Sequence, residues 1–199
     1  MVIGYHIIFG AYGFWLPNDP RGSWSDYVGS WDLFRYGPAT KTTETRSLAY
    51  DKHDARLRLA AKESLKYPAV QFSGIQARAI GKGFGSYAAK SGLVVRACAI
   101  LPDHVHLVID RFRLSAEQMV IQLKGDATEQ LVAEGLHPFG HIRLPNGRPP
   151  KCWSRGQWAP FLETEADVWA AIEYVEGNPL KEGKPAQHWS FVTPLDSRR

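Results

Sequence analysis

Residues 93–110, LVVRACAILPDHVHLVID, decide the fold. Two apolar runs rich in β-branched residues, 93–101 and 104–110, flank Pro102-Asp103, a dipeptide suited to a tight turn. The pattern predicts two neighbouring antiparallel strands. Strand side chains alternate faces, so His104 and His106 share one face while Val105, Leu107 and Ile109 take the other. Two imidazoles about 7 Å apart along such a strand can grip one divalent metal; the alternative is a pair of half-exposed sheet histidines.

Outward from this hairpin, the N-terminal run GYHIIFG (4–10) reads as a buried strand, continuing towards Trp15. Residues 17–50 are rich in Pro, Gly, Ser, Asp and aromatics without a sustained period, and read as a long ordered loop or insertion. Residues 53–66 have helical propensity, with apolar positions at Leu57, Ala60, Ala61 and Leu65. Beyond Pro68, residues 69–72 form a short apolar run of strand character. Ser73 is a cap for a helix over 74–91, against which Gly81, Gly83 and Gly85 argue. Downstream, Ser115-Ala-Glu-Gln118 is a capping box opening a helix that ends near Gly135. A Pro/Gly-rich loop (136–152) leads to WSRGQWAPFL, a further strand candidate. Thr164 caps a last helix over 165–177, with Pro179 as its stop. The order of elements predicts an α+β layer fold: one domain over 1–199, an antiparallel sheet flanked by helices, with the helices on one side.

Composition narrows the class further. The 199 residues carry 24 Lys plus Arg against 20 Asp plus Glu, with 44% hydrophobic residues, which is ordinary globular usage. Two cysteines exclude a disulfide-stapled scaffold and a four-thiolate zinc site. There is no apolar run of membrane-spanning length, so no membrane partner is expected. The N-terminus has neither a basic n-region nor a small-residue cleavage site, so the expected location is cytoplasmic. The net charge of +4 is unevenly placed: residues 41–100 hold eleven basic and four acidic side chains, net +7. Within it, Lys52, Arg56, Lys62, Arg78 and Lys82 are candidates for a nucleic-acid surface. Lys124, on the helix after the hairpin, is a sixth candidate. Trp15, Trp24, Trp31, Tyr36 and Trp158 are candidate stacking platforms for unpaired bases, with core packing as the alternative.

A second motif lies at the end of the last helix, Tyr174-Val-Glu-Gly-Asn178-Pro179. Tyr174 and Asn178 are four apart and lie one turn from each other on one helix face. The apolar stripe Val168, Ile172, Val175 leaves Tyr174 about 100° away, exposed enough to react. A boundary tyrosine and a helix-ending asparagine would explain the same residues.

Taken together, PDHVHLVI, YVEGNPLKEG and the closing HWSFV (188–192) resemble the HUH single-tyrosine transposases, and within them the REP-associated tyrosine transposases. Those proteins read roughly P-N-H-V-H-L, then Y-I-x-x-N-P-V-K-A-G, then W-S. The opening YHIIFGAYGFWLPNDPRGSW also looks like the family's first strand and the loop after it. Asp103 departs from the pattern, where Asn is commoner, and the 17–50 segment is idiosyncratic.

The resemblance implies a ferredoxin- or RRM-like HUH endonuclease domain. It implies His104 and His106 as metal ligands, with Asn178 completing the site, and Tyr174 as a nucleophile forming a 5′-phosphotyrosine link. The implied cofactor is Mg²⁺ or Mn²⁺, and imidazole ligands favour Mn²⁺. The implied partner is single-stranded DNA with an adjacent hairpin, acted on by a monomer or homodimer in DNA transposition. Two alternatives stand beside it: a non-catalytic single-stranded nucleic-acid-binding module, and a metal hydrolase of small phosphoesters.

Overall fold

A computed structural model of the chain describes residues 1–19, 28, 31–37 and 52–195. Most of the 17–50 segment, including Trp24 and the Trp31 side chain, lies outside the described residues. The elements run β1 (Gly4–Gly10), α1 (Trp31–Phe34), α2 (Ala55–Glu63), α3 (Gly74–Ser91), β2 (Val95–Ile100), β3 (His104–Asp110), α4 (Ala116–Ala133), β4 (Phe161–Leu162) and α5 (Glu165–Lys181). The four strands form one sheet in the order β2-β3-β1-β4, with every pairing antiparallel. With α3 and α4 as the two crossovers, this is the split β-α-β arrangement of ferredoxin-like folds.

The hairpin is as predicted: β2 and β3 pair from Ile100 opposite Val105 to Val95 opposite Ile109, with an irregularity between Val95 and Ala97. The 69–72 run is not a strand, although Val70 and Phe72 donate backbone hydrogen bonds to the Tyr12 and Pro102 carbonyls. The strand within WSRGQWAPFL is only two residues long. Bridges at Trp153 and Trp158 extend its course along β1.

Both faces of the sheet are covered, which corrects the expectation of helices on one side. Odd-numbered residues of β1 and β3 (Ile7, Phe9, Val105, Leu107, Ile109) join the large core beneath α3 and α4. Even-numbered Val108, with Ala97 and Ala99 of β2, packs against Val168, Ala171, Ile172 and Val175 of α5. The two alanines are small enough to let α5 lie close, and burial of its apolar stripe fixes the helix on the face that carries the histidines.

Two α3 glycines, Gly81 and Gly83, have a tertiary reason. A Cβ on Gly83 would stand 2.6 Å from Ala127 Cα of α4, and one on Gly81 would meet the Trp189 ring at 2.3 Å. Propensity is given up so that α4 and the C-terminal segment can approach. The Ser73 and Ser115 capping boxes are both formed, as is one at Thr164.

Candidate active site

The β1–β3 register places Ile8 opposite His106 and His6 opposite Val108, so His6 and His106 are diagonal neighbours on one face. His6 Nε2 and His106 Nδ1 are 3.1 Å apart, and the two rings stack with centroids 5.4 Å apart. His104 lies beside them, its ring 4.9 Å from that of His106, and its Nδ1 is 2.7 Å from Asp103 Oδ1. On its other side Phe14 stacks at 4.8 Å. Gly10, opposite His104 in the sheet, makes room for that stack, because a Cβ there would come within 2.5 Å of the Phe14 ring.

From α5, Tyr174 meets this group edge-on, 5.6 Å from the His6 ring and 5.7 Å from the His106 ring. It remains 42% exposed, so the phenol is at once packed against the imidazoles and open to a ligand. Burial raises its pKa, and the Asn178 side chain one turn on partly offsets the rise. The Asn178 carboxamide is buried and its Nδ2 makes no full hydrogen bond.

Pro179 does not end α5. The helix runs through it to Lys181, forgoing only the bond that the missing N–H would have made to the Val175 carbonyl. That extra turn matters. It sets Lys181 on the same face as Tyr174 and Asn178, with Nζ 4.5 Å above the Tyr174 ring.

The electrostatics disfavour charge on the His6 and His106 rings. Burial pushes the His6 pKa down to about 4. His106 lies well below the ordinary value, first through burial and then through the positive charge that His104, His6 and Lys181 can bring. Neutral imidazoles with available lone pairs are what a cation site requires. Among the described residues, no three His, Cys, Asp or Glu side chains cluster to hold a metal. A site here therefore depends on two imidazoles with an amide. His104, His106 and Asn178 fit that donor set, since the Asn178 amide is buried and its Nδ2 has no hydrogen-bond partner.

The predicted DNA-contacting residues are scattered. Lys52, Arg56 and Lys62 are exposed in and just before α2. Arg78 and Lys82 line an open groove between α3 and residues 187–193, and Lys82 also pairs with Glu134 at 2.8 Å. His6, His104, His106, Tyr174 and Asn178 do not line that groove. Lys124 Nζ donates to the carbonyls of Ser154 and Gly156 and lies over the Phe9 ring, on the sheet face opposite the histidines. Of the aromatic candidates, Trp158 is half-buried with its ring 6.2 Å from His6, and Trp15 packs on Phe14. Sequence reasoning missed Asp103, Phe14 and Lys181 as members of the site. The only signals for them were adjacency to His104 for Asp103 and the i, i+7 spacing from Tyr174 for Lys181.

No protein-family model matches the chain, and no curated protein does. Among solved structures, it is similar to a REP-associated tyrosine transposase bound to a REP hairpin, at 11% identity over 99% of this chain and 95% of that one, with a TM-score of 0.48. It is also similar to a protein described as a transposase from Deinococcus radiodurans, at 15% identity over 94% of each chain, with a TM-score of 0.40. Both scores fall below 0.5, so the chemistry is read from this chain's own residues.

Proposed function

We propose that the chain is a metal-dependent single-stranded DNA endonuclease and strand transferase that uses Tyr174 as its nucleophile. The observation that carries this reading is the meeting of Tyr174, from α5, with His6 and His106, from the central strands, under the Lys181 ammonium. His104, His106 and Asn178 would hold a divalent cation. Such a cation, when bound, polarises a phosphodiester and neutralises the charge that develops on it.

The chain's own residues account for the remaining steps. Tyr174 Oη bonds to the phosphorus, the P–O3′ bond breaks, and the proton lost by the phenol balances the one gained by the departing 3′-oxygen. The product is a 5′-phosphotyrosine and a free 3′-hydroxyl, and attack by a 3′-hydroxyl on that ester rejoins strands without ATP. Lys181 favours the phenolate and the approaching phosphate, as a fixed cation beside a developing anion does. An extended single strand suits the site, because its phosphate must reach a helix and a sheet face together. A hydrolase of small phosphoesters would leave Tyr174 incidental, whereas its ring packs on both imidazoles.

The test is incubation with end-labelled single-stranded oligonucleotides and Mn²⁺, followed by denaturing electrophoresis. Wild-type protein is expected to form a covalent adduct, Tyr174→Phe none, and Lys181→Ala adduct at a rate lower by about tenfold or more. Undiminished adduct with Tyr174→Phe would overturn the proposal.

A further inference from the structure

Each histidine of β3 has one ring nitrogen already engaged, and it is the same nitrogen in both. His104 Nδ1 stands 2.7 Å from Asp103 Oδ1, and His106 Nδ1 stands 3.1 Å from His6 Nε2. A neutral imidazole has one N–H and one lone pair, so the partner that takes the N–H decides which nitrogen is left to bind a ligand.

We propose that Asp103 and His6 are positioning residues: each accepts the Nδ1–H of one β3 histidine, so that His104 and His106 both present Nε2 to a shared divalent cation. This rests on the metal reading of the site given above. A carboxylate only accepts, so His104 donates from Nδ1, and in the neutral ring the lone pair then sits on Nε2. In the same tautomer His106 donates to His6 Nε2, and His6 then carries its own proton on Nδ1. The pairing orients each ring as well as fixing which nitrogen holds its proton. The His104 ring is clamped between the Asp103 bond and the Phe14 stack, and that of His106 by the His6 bond and stack. Partners of this kind commonly set ligand affinity as strongly as ligand geometry does. His6 gains its place from the register of β1 on β3, a diagonal neighbour 100 residues away in sequence.

Two readouts other than activity test this. Long-range ¹H–¹⁵N correlation spectra of metal-free, histidine-labelled protein should show His104 and His106 as Nδ1–H tautomers. Asp103→Ala should release His104 from that single tautomer and weaken Mn²⁺ binding, measured by calorimetry, about 10- to 100-fold. Asp103→Asn, whose Oδ1 can still accept, should retain most of the affinity. His6→Phe should weaken binding to a similar degree and His6→Gln should restore part of it, with circular dichroism confirming that each metal-free variant is folded. An Nε2–H tautomer at either β3 histidine, or Mn²⁺ affinity unchanged in Asp103→Ala, overturns the positioning role and leaves the metal reading intact. Wild-type protein that binds no Mn²⁺ overturns the metal reading itself.

Discussion

Tyr174 and Lys124 show what the sheet does to two polar side chains of similar reach. Tyr174 stays at the mouth of the site because α5 seats Val175 and Ile172 beneath it. Lys124 is drawn inward on the opposite face, where two backbone carbonyls hold its ammonium and burial lowers its pKa from 10.5 to about 8. Below about 8 this lysine is charged in both folded and unfolded chains, and burying the charge costs stability. Between about 8 and 10.5 the folded chain gives up the proton first, so the unfolded chain binds more protons and stability rises with pH. The melting temperature of the wild type relative to Lys124→Met should therefore climb across that window in differential scanning calorimetry. A difference that is flat or falls there would show that the ammonium is not strained by burial. Its place on the helix after the hairpin made Lys124 a candidate for phosphate contact. The carbonyls that hold it come from Ser154 and Gly156, some thirty residues downstream, and no local pattern announces them.

At the scale of elements, the hairpin, both long crossover helices and the caps of α3, α4 and α5 were legible, because alternation, capping boxes and Gly135 are local signals. Three things were not. The face taken by α5 depends on Ala97 and Ala99 being small, a property that matters only once the sheet exists. The continuation of α5 past Pro179 depends on a packed stripe that outweighs one lost hydrogen bond. The glycines of α3 read as helix breakers, and their use becomes visible only against Ala127 and Trp189. A matched pair of substitutions tests that last point. Gly83→Ala, driven against the α4 backbone, should destabilise the fold by about 1–3 kcal/mol. Gly125→Ala, in α4 with nothing within 4 Å of the added Cβ, should stabilise it by about 0.5–1 kcal/mol. Chemical denaturation of both variants gives the comparison, and equal effects would remove the packing explanation.

Across the whole molecule, the sheet divides two kinds of work. One face is almost wholly apolar and carries the core under α3 and α4. The other carries a smaller apolar cluster under α5 and, alongside it, three histidines with one tyrosine. The two motifs that defined the site in sequence, His104-Val-His106 and Tyr174 with Asn178, come to one place because β3 lies at the centre of the sheet and α5 returns across it. Their convergence was expected from resemblance. His6, on the first strand, joins them through register alone. The most direct measurement of the central claim is peptide mapping by mass spectrometry after reaction with a single-stranded oligonucleotide and Mn²⁺. The predicted result is a nucleotide-phosphate mass on the peptide containing Tyr174, attached through its phenolic oxygen. An adduct on any other tyrosine, or cleaved oligonucleotide with no protein-bound phosphate, would contradict it.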